Sequence, residues 1–237
     1  MSCSTPIHKQ RSSARSRKPV AHVKSVLKPN MTHESPNYIM VFDTETTGLF
    51  PRNANPENFE LFNNARMVEI AWEIYTQNGE LVNRESYLIK PNGFVIPDTV
   101  IAIHGINNEM AHNNGVNIQN VFERLQVVLK DVAIIVAHNF QYDNGIILSE
   151  LYRLNSMSDR LMNYTELINN WGYILHKCTM IMGTHITGRW TKLSELYNIC
   201  FNTYPTETLH RAAADVGVCA KVYFYLVTHN VNNTLIQ

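Results

Sequence analysis

Residues 38–48, with the sequence YIMVFDTETTG, decide how the rest of the chain is interpreted. The first half of this stretch is apolar and rich in strand-forming residues, so we predict a strand over residues 38–43. Asp43 and Glu45 stand at its end, and side chains two residues apart in a strand point to one face. Two neighbouring carboxylates repel each other unless a cation lies between them, which indicates a divalent metal site. In an arbitrary sequence, however, an Asp-x-Glu pair more often marks a solvated turn.

The segments that follow predict an α/β fold. Residues 67–76 and 81–89 have the character of strands, and Asn78-Gly79 between them is a strong hairpin signal. The short apolar run of residues 132–137 is typical of a strand buried on both faces, and residues 171–178 offer a fifth strand. Apolar residues at helical spacing predict four helices, around residues 118–129, 146–154, 193–200 and 216–227, whereas we interpret residues 90–115 as a loop.

Two further clusters of polar residues follow predicted elements. Asp143, in AHNFQYD at residues 137–143, lies where the buried strand turns into a helix, an end of the sheet where α/β proteins gather functional groups. Taken alone, Asp143 also suits an ordinary helix N-terminus, and we interpret His138 as a packed histidine. In HRAAAD at residues 210–215, His210 and Asp215 could not share one helical face, so we expect Asp215 in the last helix and His210 in the loop before it. A histidine in such a loop suits a general base.

Taken together, these segments resemble the DEDDh 3′-to-5′ exonucleases, the family of the proofreading subunit of bacterial replicative DNA polymerase. FDTETTG, HNFQYD and HRAAAD correspond to its three motifs, and the likeness extends over residues 38–228. Residues 96–97 and 103–106 and the pair Lys192-Leu193 also agree with the family. The chain departs from it at Tyr142, where Phe is usual, and at residues 50–65, which form a longer loop. The resemblance implies an RNase H-like α/β fold with a five-stranded mixed sheet flanked by helices.

The same resemblance implies a role for each residue of the site. Four acids are implied as ligands of two Mg²⁺ or Mn²⁺ ions, and His210 as the base that activates water. The implied ligands are Asp43, Glu45, Asp143 and Asp215. Thr46, Leu49 and His104 are implied to contact the terminal nucleotide, with Leu49 as an apolar wedge. Simple core packing is the alternative interpretation of Leu49.

The sequence is compatible with three functions. The first is a two-metal-ion exonuclease that removes nucleoside 5′-monophosphates from the 3′ ends of single-stranded DNA, in proofreading or end trimming. The second is an exoribonuclease that trims RNA with the same five residues, since the contacts to a 2′-hydroxyl cannot be located in the sequence. The third is a non-catalytic nucleic-acid-binding or polymerase-associated module. Proofreading would require a separate polymerase as partner.

Charge divides the 237-residue chain into two unlike parts. Seven basic residues and no acid precede residue 31, although the formal net charge of the whole chain is zero. Residues 1–37 also lack apolar periodicity, so we predict a disordered basic arm before a catalytic domain at residues 38–237. The arm suits a transit peptide, a nucleic-acid-binding or nuclear-localisation segment, or a solvated tail.

Cysteine usage and hydropathy bear on the environment of the protein. The four cysteines show no zinc-ligand spacing, so we expect free thiols in a reducing, intracellular compartment. No apolar run approaches the roughly 18 residues that a membrane span requires, so we expect no membrane span. Nucleus, mitochondrion and cytoplasm are not distinguished.

Overall fold

The computed structural model describes residues 37–159 and 161–229. The predicted disordered basic arm, apart from its last residue, lies outside the described residues. No helix of the described part is both long and apolar enough to cross a membrane. Cys178, Cys200 and Cys219 are buried free thiols, as the cysteine spacing predicts.

Within the described residues, five strands form one mixed sheet in the order β3-β2-β1-β4-β5. The pairs β1/β2 and β2/β3 are antiparallel, whereas β1/β4 and β4/β5 are parallel. The predicted five-stranded mixed sheet is therefore confirmed. The strands are β1 (Tyr38–Thr46), β2 (Met67–Tyr75), β3 (Leu81–Leu88), β4 (Val132–Ala137) and β5 (Leu175–Cys178).

Eight α-helices flank this sheet in the described residues. Helices α1 and α2 lie in the segment predicted to be a loop, which is a correction. Both are only seven residues long, too short to show the apolar periodicity by which longer helices are detected. The helices are α1 (Asp98–His104), α2 (Asn108–Asn114), α3 (Ile118–Val128), α4 (Phe140–Asn155), α5 (Tyr164–Tyr173), α6 (Thr179–Thr187), α7 (Leu193–Phe201) and α8 (Ala212–Thr228).

The alternation of side chains along β1 divides the core into two layers. Met40 and Phe42 belong to a cluster with residues of α3, α4 and α5 on one face of the sheet. Ile39 and Val41 belong to a second cluster with residues of α6, α7 and α8 on the other face. Because helices cover both faces, β1 and β4 are apolar without the polar alternation of a half-exposed strand. This architecture is RNase H-like, as predicted.

The parallel pairing of β1 with β4 positions the polar clusters. Val41 pairs with Val136, so the carboxyl ends of the two strands reach the same edge of the sheet. At this edge β1 runs on to Thr46, three residues past its predicted end, because Glu45 still pairs with Glu69 of β2. Functional groups of α/β proteins gather at such an edge.

The long segment between β1 and β2 packs against helix α4. It contains a short 3-10 helix, Phe59–Phe62, and the Phe62 side chain is fully buried. The Phe50 ring lies 4.3 Å from that of Phe62 and stacks on Tyr142 of α4 at 5.1 Å between centroids. Residues 50–65 are therefore anchored by aromatic packing.

Candidate active site

Three of the predicted acids meet on the face of the sheet that packs against α8. Asp43 and Glu45 share this face of β1, since their cross-strand neighbours are Ala71 and Glu69. Asp215 lies in the first turn of α8. One carboxylate oxygen from each of Asp43, Glu45 and Asp215 lies within 4.8 Å of the others. Residues 170 positions apart in the chain are thus brought to one point.

The fourth acid, Asp143, adjoins this group from the other side of β1. It lies in the first turn of α4 and is 3% exposed. Its Oδ1 accepts two hydrogen bonds from Thr44, from the backbone N–H at 3.1 Å and from the hydroxyl at 2.7 Å. Its charge also raises the pKa of Asp43 and of Glu45, which shows that the four carboxyl groups share one electrostatic environment.

Burial raises the pKa of all four carboxyl groups, and the charge of at least one neighbouring carboxylate adds to the increase in each. Burial is the larger cause for Asp43, whose pKa lies well above its usual range, and for Glu45, whose pKa rises to about 8. Burial raises the pKa of Asp143 to about 7, although the hydrogen bonds from Thr44 oppose the increase. It raises that of Asp215 to about 6, opposed by the backbone N–H of His210. Such a cluster binds protons until a cation replaces them.

The donor set fits a hard divalent cation. Oδ1 of Asp215 is buried and has no hydrogen-bond partner among the described residues, so one oxygen of the cluster is left for another ligand. A buried carboxylate oxygen without a partner is costly in free energy. The cluster offers oxygen atoms alone, the ligands that Mg²⁺ and Mn²⁺ prefer. The arrangement therefore fits the predicted cation.

His210 lies outside α8, at the edge of the cluster. It is exposed, and its backbone N–H donates to Oδ2 of Asp215 at 3.1 Å. Its φ of 70° is in the left-handed region, which costs a non-glycine residue about 1–2 kcal/mol. Residues hold such a conformation only where their surroundings impose it, and this occurs most often at functional sites.

Two charged residues that the sequence interpretation missed stand beside the cluster. Glu69 of β2 is 1% exposed and pairs with Arg211, the residue after His210. The charge of Glu69 contributes to the raised pKa of Asp43, Glu45 and Asp215. A glutamate inside the apolar strand MVEIAWEIY was the available signal, because a buried charge requires a partner.

The three residues predicted to contact substrate differ in exposure. Leu49 is 78% exposed, so it does not pack in the core of the described domain. Thr46 is buried, and its hydroxyl donates to the Gly48 carbonyl at 2.9 Å. His104 is 4% exposed, and its Nδ1 accepts the Ile106 N–H at 3.0 Å. Burial lowers the pKa of His104, so the neutral ring is favoured.

The side chains of His138 and Tyr142 are held by hydrogen bonds within the protein. His138 Nδ1 lies 2.9 Å from the Thr179 hydroxyl and Nε2 lies 3.0 Å from the Thr191 carbonyl, which confirms the interpretation as a packed histidine. Burial lowers its pKa to about 4. The Tyr142 hydroxyl donates to the Gly48 carbonyl at 2.7 Å and lies 2.7 Å from the Thr46 hydroxyl.

Comparison with solved structures supports the fold. The chain is similar to Exonuclease X in complex with 5′ overhanging duplex DNA, at 20% identity and a TM-score of 0.53, over 82% of this chain and 94% of that one. It is also similar to E. coli Exonuclease I in complex with a dA16 oligonucleotide, at 16% identity and a TM-score of 0.59, over 81% of this chain and 41% of that one.

Two sequence relatives are much longer than the matched region. DNA polymerase III PolC-type of Mycoplasma genitalium is 28% identical over 212 residues, which cover 86% of this chain and 12% of that protein. The 3′-5′ exonuclease DinG of Bacillus subtilis is 32% identical over 114 residues, which cover 48% of this chain and 11% of that protein.

The family of the chain is shown by its match to a family model. The model of the RNase T exonuclease family matches residues 40–223, a span that includes β1 from Met40 onward, the start of α4 and the start of α8, with all the acids described above. The chain therefore belongs to the RNase T exonuclease family.

Proposed function

We propose that this protein is a divalent-metal-dependent 3′-to-5′ exonuclease that releases nucleoside 5′-monophosphates from the 3′ ends of single-stranded DNA. The observation that carries the proposal is the meeting of Asp43, Glu45 and Asp215 within 4.8 Å, with Asp143 beside them. A cluster of acids on a half-buried surface is unfavourable without a cation. Membership of an exonuclease family indicates that the cation would assist the hydrolysis of a phosphodiester bond.

The four carboxylates would hold two Mg²⁺ or Mn²⁺ ions. Asp43, Glu45 and Asp215 would supply ligands as one group, with Asp143 beside them. When bound, the ions would lower the pKa of the attacking water and offset the charge that develops on the phosphate oxygens. The free Oδ1 of Asp215 supports its assignment as a ligand.

His210 would accept the proton of the attacking water. Its exposed position allows its ring to reach a water molecule on the solvent side of the acids, and a general base typically contributes about 10² to 10⁴ in rate. Leu49 would act as an apolar wedge against the terminal base, which accounts for a leucine that is 78% exposed. The Thr46 backbone and His104 would border the same nucleotide.

DNA is the proposed substrate because of the proteins that this chain is similar to. Exonuclease X and Exonuclease I were solved with DNA, and PolC-type is a DNA polymerase. The likeness to PolC-type also supports proofreading beside a polymerase as one role, with end trimming as the other. RNA remains the alternative substrate, since the same five residues would serve its hydrolysis.

Paired digestion of DNA and RNA tests the proposal. Matched 5′-labelled single strands are incubated with the full chain in Mg²⁺, in Mn²⁺ and in chelator, and the products are separated by length. We expect a ladder that shortens from the 3′ end of DNA, release of mononucleotides, and no cleavage in chelator. Activity that persists in chelator would refute the metal mechanism. Faster digestion of RNA than of DNA would make RNA the substrate in place of DNA.

Two variants separate the proposed roles. Asp43→Asn removes one carboxylate of the cluster and is expected to abolish cleavage in both metals. His210→Ala leaves the acids in place and is expected to lower kcat by about 10² to 10⁴ while Mn²⁺ still binds. Equal residual activity in the two variants would contradict the assigned roles.

A further inference from the structure

Glu69 of β2 makes three hydrogen bonds to the segment that follows His210. Its Oε1 accepts from an Arg211 guanidinium nitrogen at 2.6 Å, and its Oε2 accepts from Arg211 Nε at 3.1 Å. The same Oε2 accepts the backbone N–H of Ala212, the first residue of α8, at 2.9 Å. The two-pronged contact of an arginine with a carboxylate fixes orientation as well as distance.

These contacts distinguish Glu69 from the four acids of the cluster. Glu69 lies directly across from Glu45 in the β1/β2 register, yet both of its oxygens are occupied by Arg211 and Ala212. Its charge is therefore paired with a guanidinium, whereas Oδ1 of Asp215 has no hydrogen-bond partner among the described residues. Its side chain is 2% exposed, and a buried carboxylate that pairs with one particular guanidinium holds that partner in place.

The hydrogen bonds of Glu69 to Arg211 and Ala212 lie next to His210, the one histidine with a positive φ among the described residues. His210 adopts φ 70°, its own N–H is held by Asp215, and the two residues after it are held by Glu69. The left-handed conformation would relax if the chain on either side were free to move. Glu69 thus contributes to the position of His210, whose side chain makes no hydrogen bond to the sheet within residues 37–159 and 161–229.

We propose that Glu69 and Arg211 form a positioning pair that places His210, and with it the start of α8, over the acidic cluster. The inference rests on the proposed function, in which His210 is the general base. Neither residue of the pair touches the reacting atoms. Their loss would therefore misplace the base and lower kcat, whereas binding of the nucleic acid strand would change little.

The chain contains a matched control pair. Glu150 of α4 is also 2% exposed, and its carboxylate accepts Nε and a terminal nitrogen of Arg66 at 2.7 and 3.1 Å. It also accepts the backbone N–H of Met67, the residue after that arginine, at 3.2 Å. The two carboxylates are equally buried and each accepts two hydrogen bonds from its arginine, although Arg66 is 12% exposed and Arg211 43%, and Glu150 also has Arg153 at 3.6 Å. Glu150 lies two helical turns from Asp143, and its arginine adjoins no candidate base.

The experiment compares conservative variants of the two pairs in the full chain. Glu69→Gln, Arg211→Lys and the double variant are set against Glu150→Gln and Arg66→Lys. For each protein, kcat and KM are measured on single-stranded DNA with saturating Mg²⁺, and Tm is measured by thermal unfolding. Arg211→Lys keeps the positive charge but loses the two-pronged contact of the guanidinium with Glu69. It therefore distinguishes a loss of positioning from a loss of the negative charge of Glu69.

We expect each variant of the Glu69–Arg211 pair to lower kcat by about tenfold or more, with KM within about threefold of the wild type. The double variant should fall no further than the stronger single variant, because the two residues act as a unit. The control variants should lower Tm by at least as much, because Arg66 is more buried than Arg211, and should leave kcat within about twofold of the wild type.

Two results separate this inference from the proposed function. If the wild type releases nucleotides but Glu69→Gln and Arg211→Lys lower kcat no more than the control variants do, the positioning pair is refuted and the proposed function stands. If the wild type itself releases no nucleotides in Mg²⁺ or Mn²⁺, the proposed function fails. A loss of kcat in Glu69→Gln with full activity in Arg211→Lys would also overturn the pair.

Discussion

Thr44 donates two hydrogen bonds to Oδ1 of Asp143, one from its backbone N–H at 3.1 Å and one from its hydroxyl at 2.7 Å. These bonds join the end of β1 to the first turn of α4 across 99 residues of sequence. Thr44 itself points away from Asp43 and Glu45, because neighbouring side chains in a strand alternate between faces. One strand end therefore supplies two acids on one face and an anchor for a third on the other.

Replacing Thr44 by Val tests this anchor. The variant keeps the shape of the side chain but removes the hydroxyl, which stabilises the ionised form of Asp143. A hydrogen bond to a charged group contributes about 1.5–3 kcal/mol, and 1.36 kcal/mol corresponds to about one pKa unit. We expect the pKa of Asp143 in the metal-free protein to rise from about 7, and the acid limb of the kcat/KM profile in Mg²⁺ to move about one pH unit upward.

Thr47→Val is the control for this shift. The Thr47 hydroxyl donates to the Asn64 carbonyl at 3.0 Å and accepts the Arg66 N–H at 2.9 Å, so it touches no carboxylate. We expect a loss of stability of about 1 kcal/mol and an unchanged pH profile. An equal shift of the profile in both variants would contradict the role assigned to Thr44.

The raised pKa values predict how pH affects the metal-free protein. Folding raises the pKa to about 8 for Glu45, about 7 for Asp143 and about 6 for Asp215, whereas unfolded carboxyl groups titrate near 4. At these three sites the folded state therefore binds more protons than the unfolded state, so the stability that they contribute is fully present below about pH 4 and is lost as pH rises from about 4 to about 8. A bound cation replaces these protons, so its stabilising effect should grow over the same interval.

Thermal unfolding between pH 5 and 8, in chelator and in Mn²⁺, checks this expectation. We expect Tm in chelator to fall with pH and the increase caused by Mn²⁺ to be largest at pH 8. Asp43→Asn removes one repelling charge, so it should be more stable than the wild type in chelator at pH 8 and respond weakly to Mn²⁺. A wild type whose Tm is the same with and without Mn²⁺ at pH 8 would argue against a metal site.

Tyr142→Phe tests how the proposed wedge is held. The Tyr142 hydroxyl donates to the carbonyl of Gly48, the residue before Leu49, and burial raises its pKa to about 12, so it remains a donor. The variant keeps the stacking on Phe50. We expect KM for single-stranded DNA to rise several-fold with kcat little changed. Tyr164→Phe removes a buried hydroxyl that donates to Gln119, so it should lower stability without raising KM.

Gly145→Ala tests the packing of residues 50–65 on α4. A Cβ at Gly145 would lie 2.8 Å from the Phe50 ring and 3.3 Å from that of Phe62. Overpacking costs about 1–3 kcal/mol, more than the roughly 1 kcal/mol that alanine gains over glycine in a helix. We expect a net loss of stability in urea unfolding. Gly172→Ala, in α5 with no atom within 4 Å of the added Cβ, should instead gain about 0.5 kcal/mol.

The strands were predictable to the extent that apolar patterns mark them. Strand β4 was predicted at its observed bounds, because all six of its residues are apolar and polar residues flank it on both sides. The fifth strand begins at Leu175, not at residue 171, since Trp171 belongs to α5. A run of apolar residues does not show where a buried helix ends and a strand begins.

Part of the site depends on contacts that no single segment reveals. The three motifs place Asp43, Glu45, Asp143, His210 and Asp215 on their elements, and the parallel pairing of β1 with β4 explains why the first two motifs meet. The hydrogen bonds of Arg211 to Glu69 join residues 142 positions apart. Only the charge of Glu69 inside an apolar strand hinted at it, and its partner could be named only from the fold.

Anomalous diffraction from crystals grown with Mn²⁺ and a nucleoside 5′-monophosphate tests the central claim most directly. We expect two anomalous peaks surrounded by the carboxylates of Asp43, Glu45, Asp143 and Asp215, with both peaks absent in Asp43→Asn. Saturating Mn²⁺ that produces no peak among these four side chains, or peaks only elsewhere on the protein, would contradict the account.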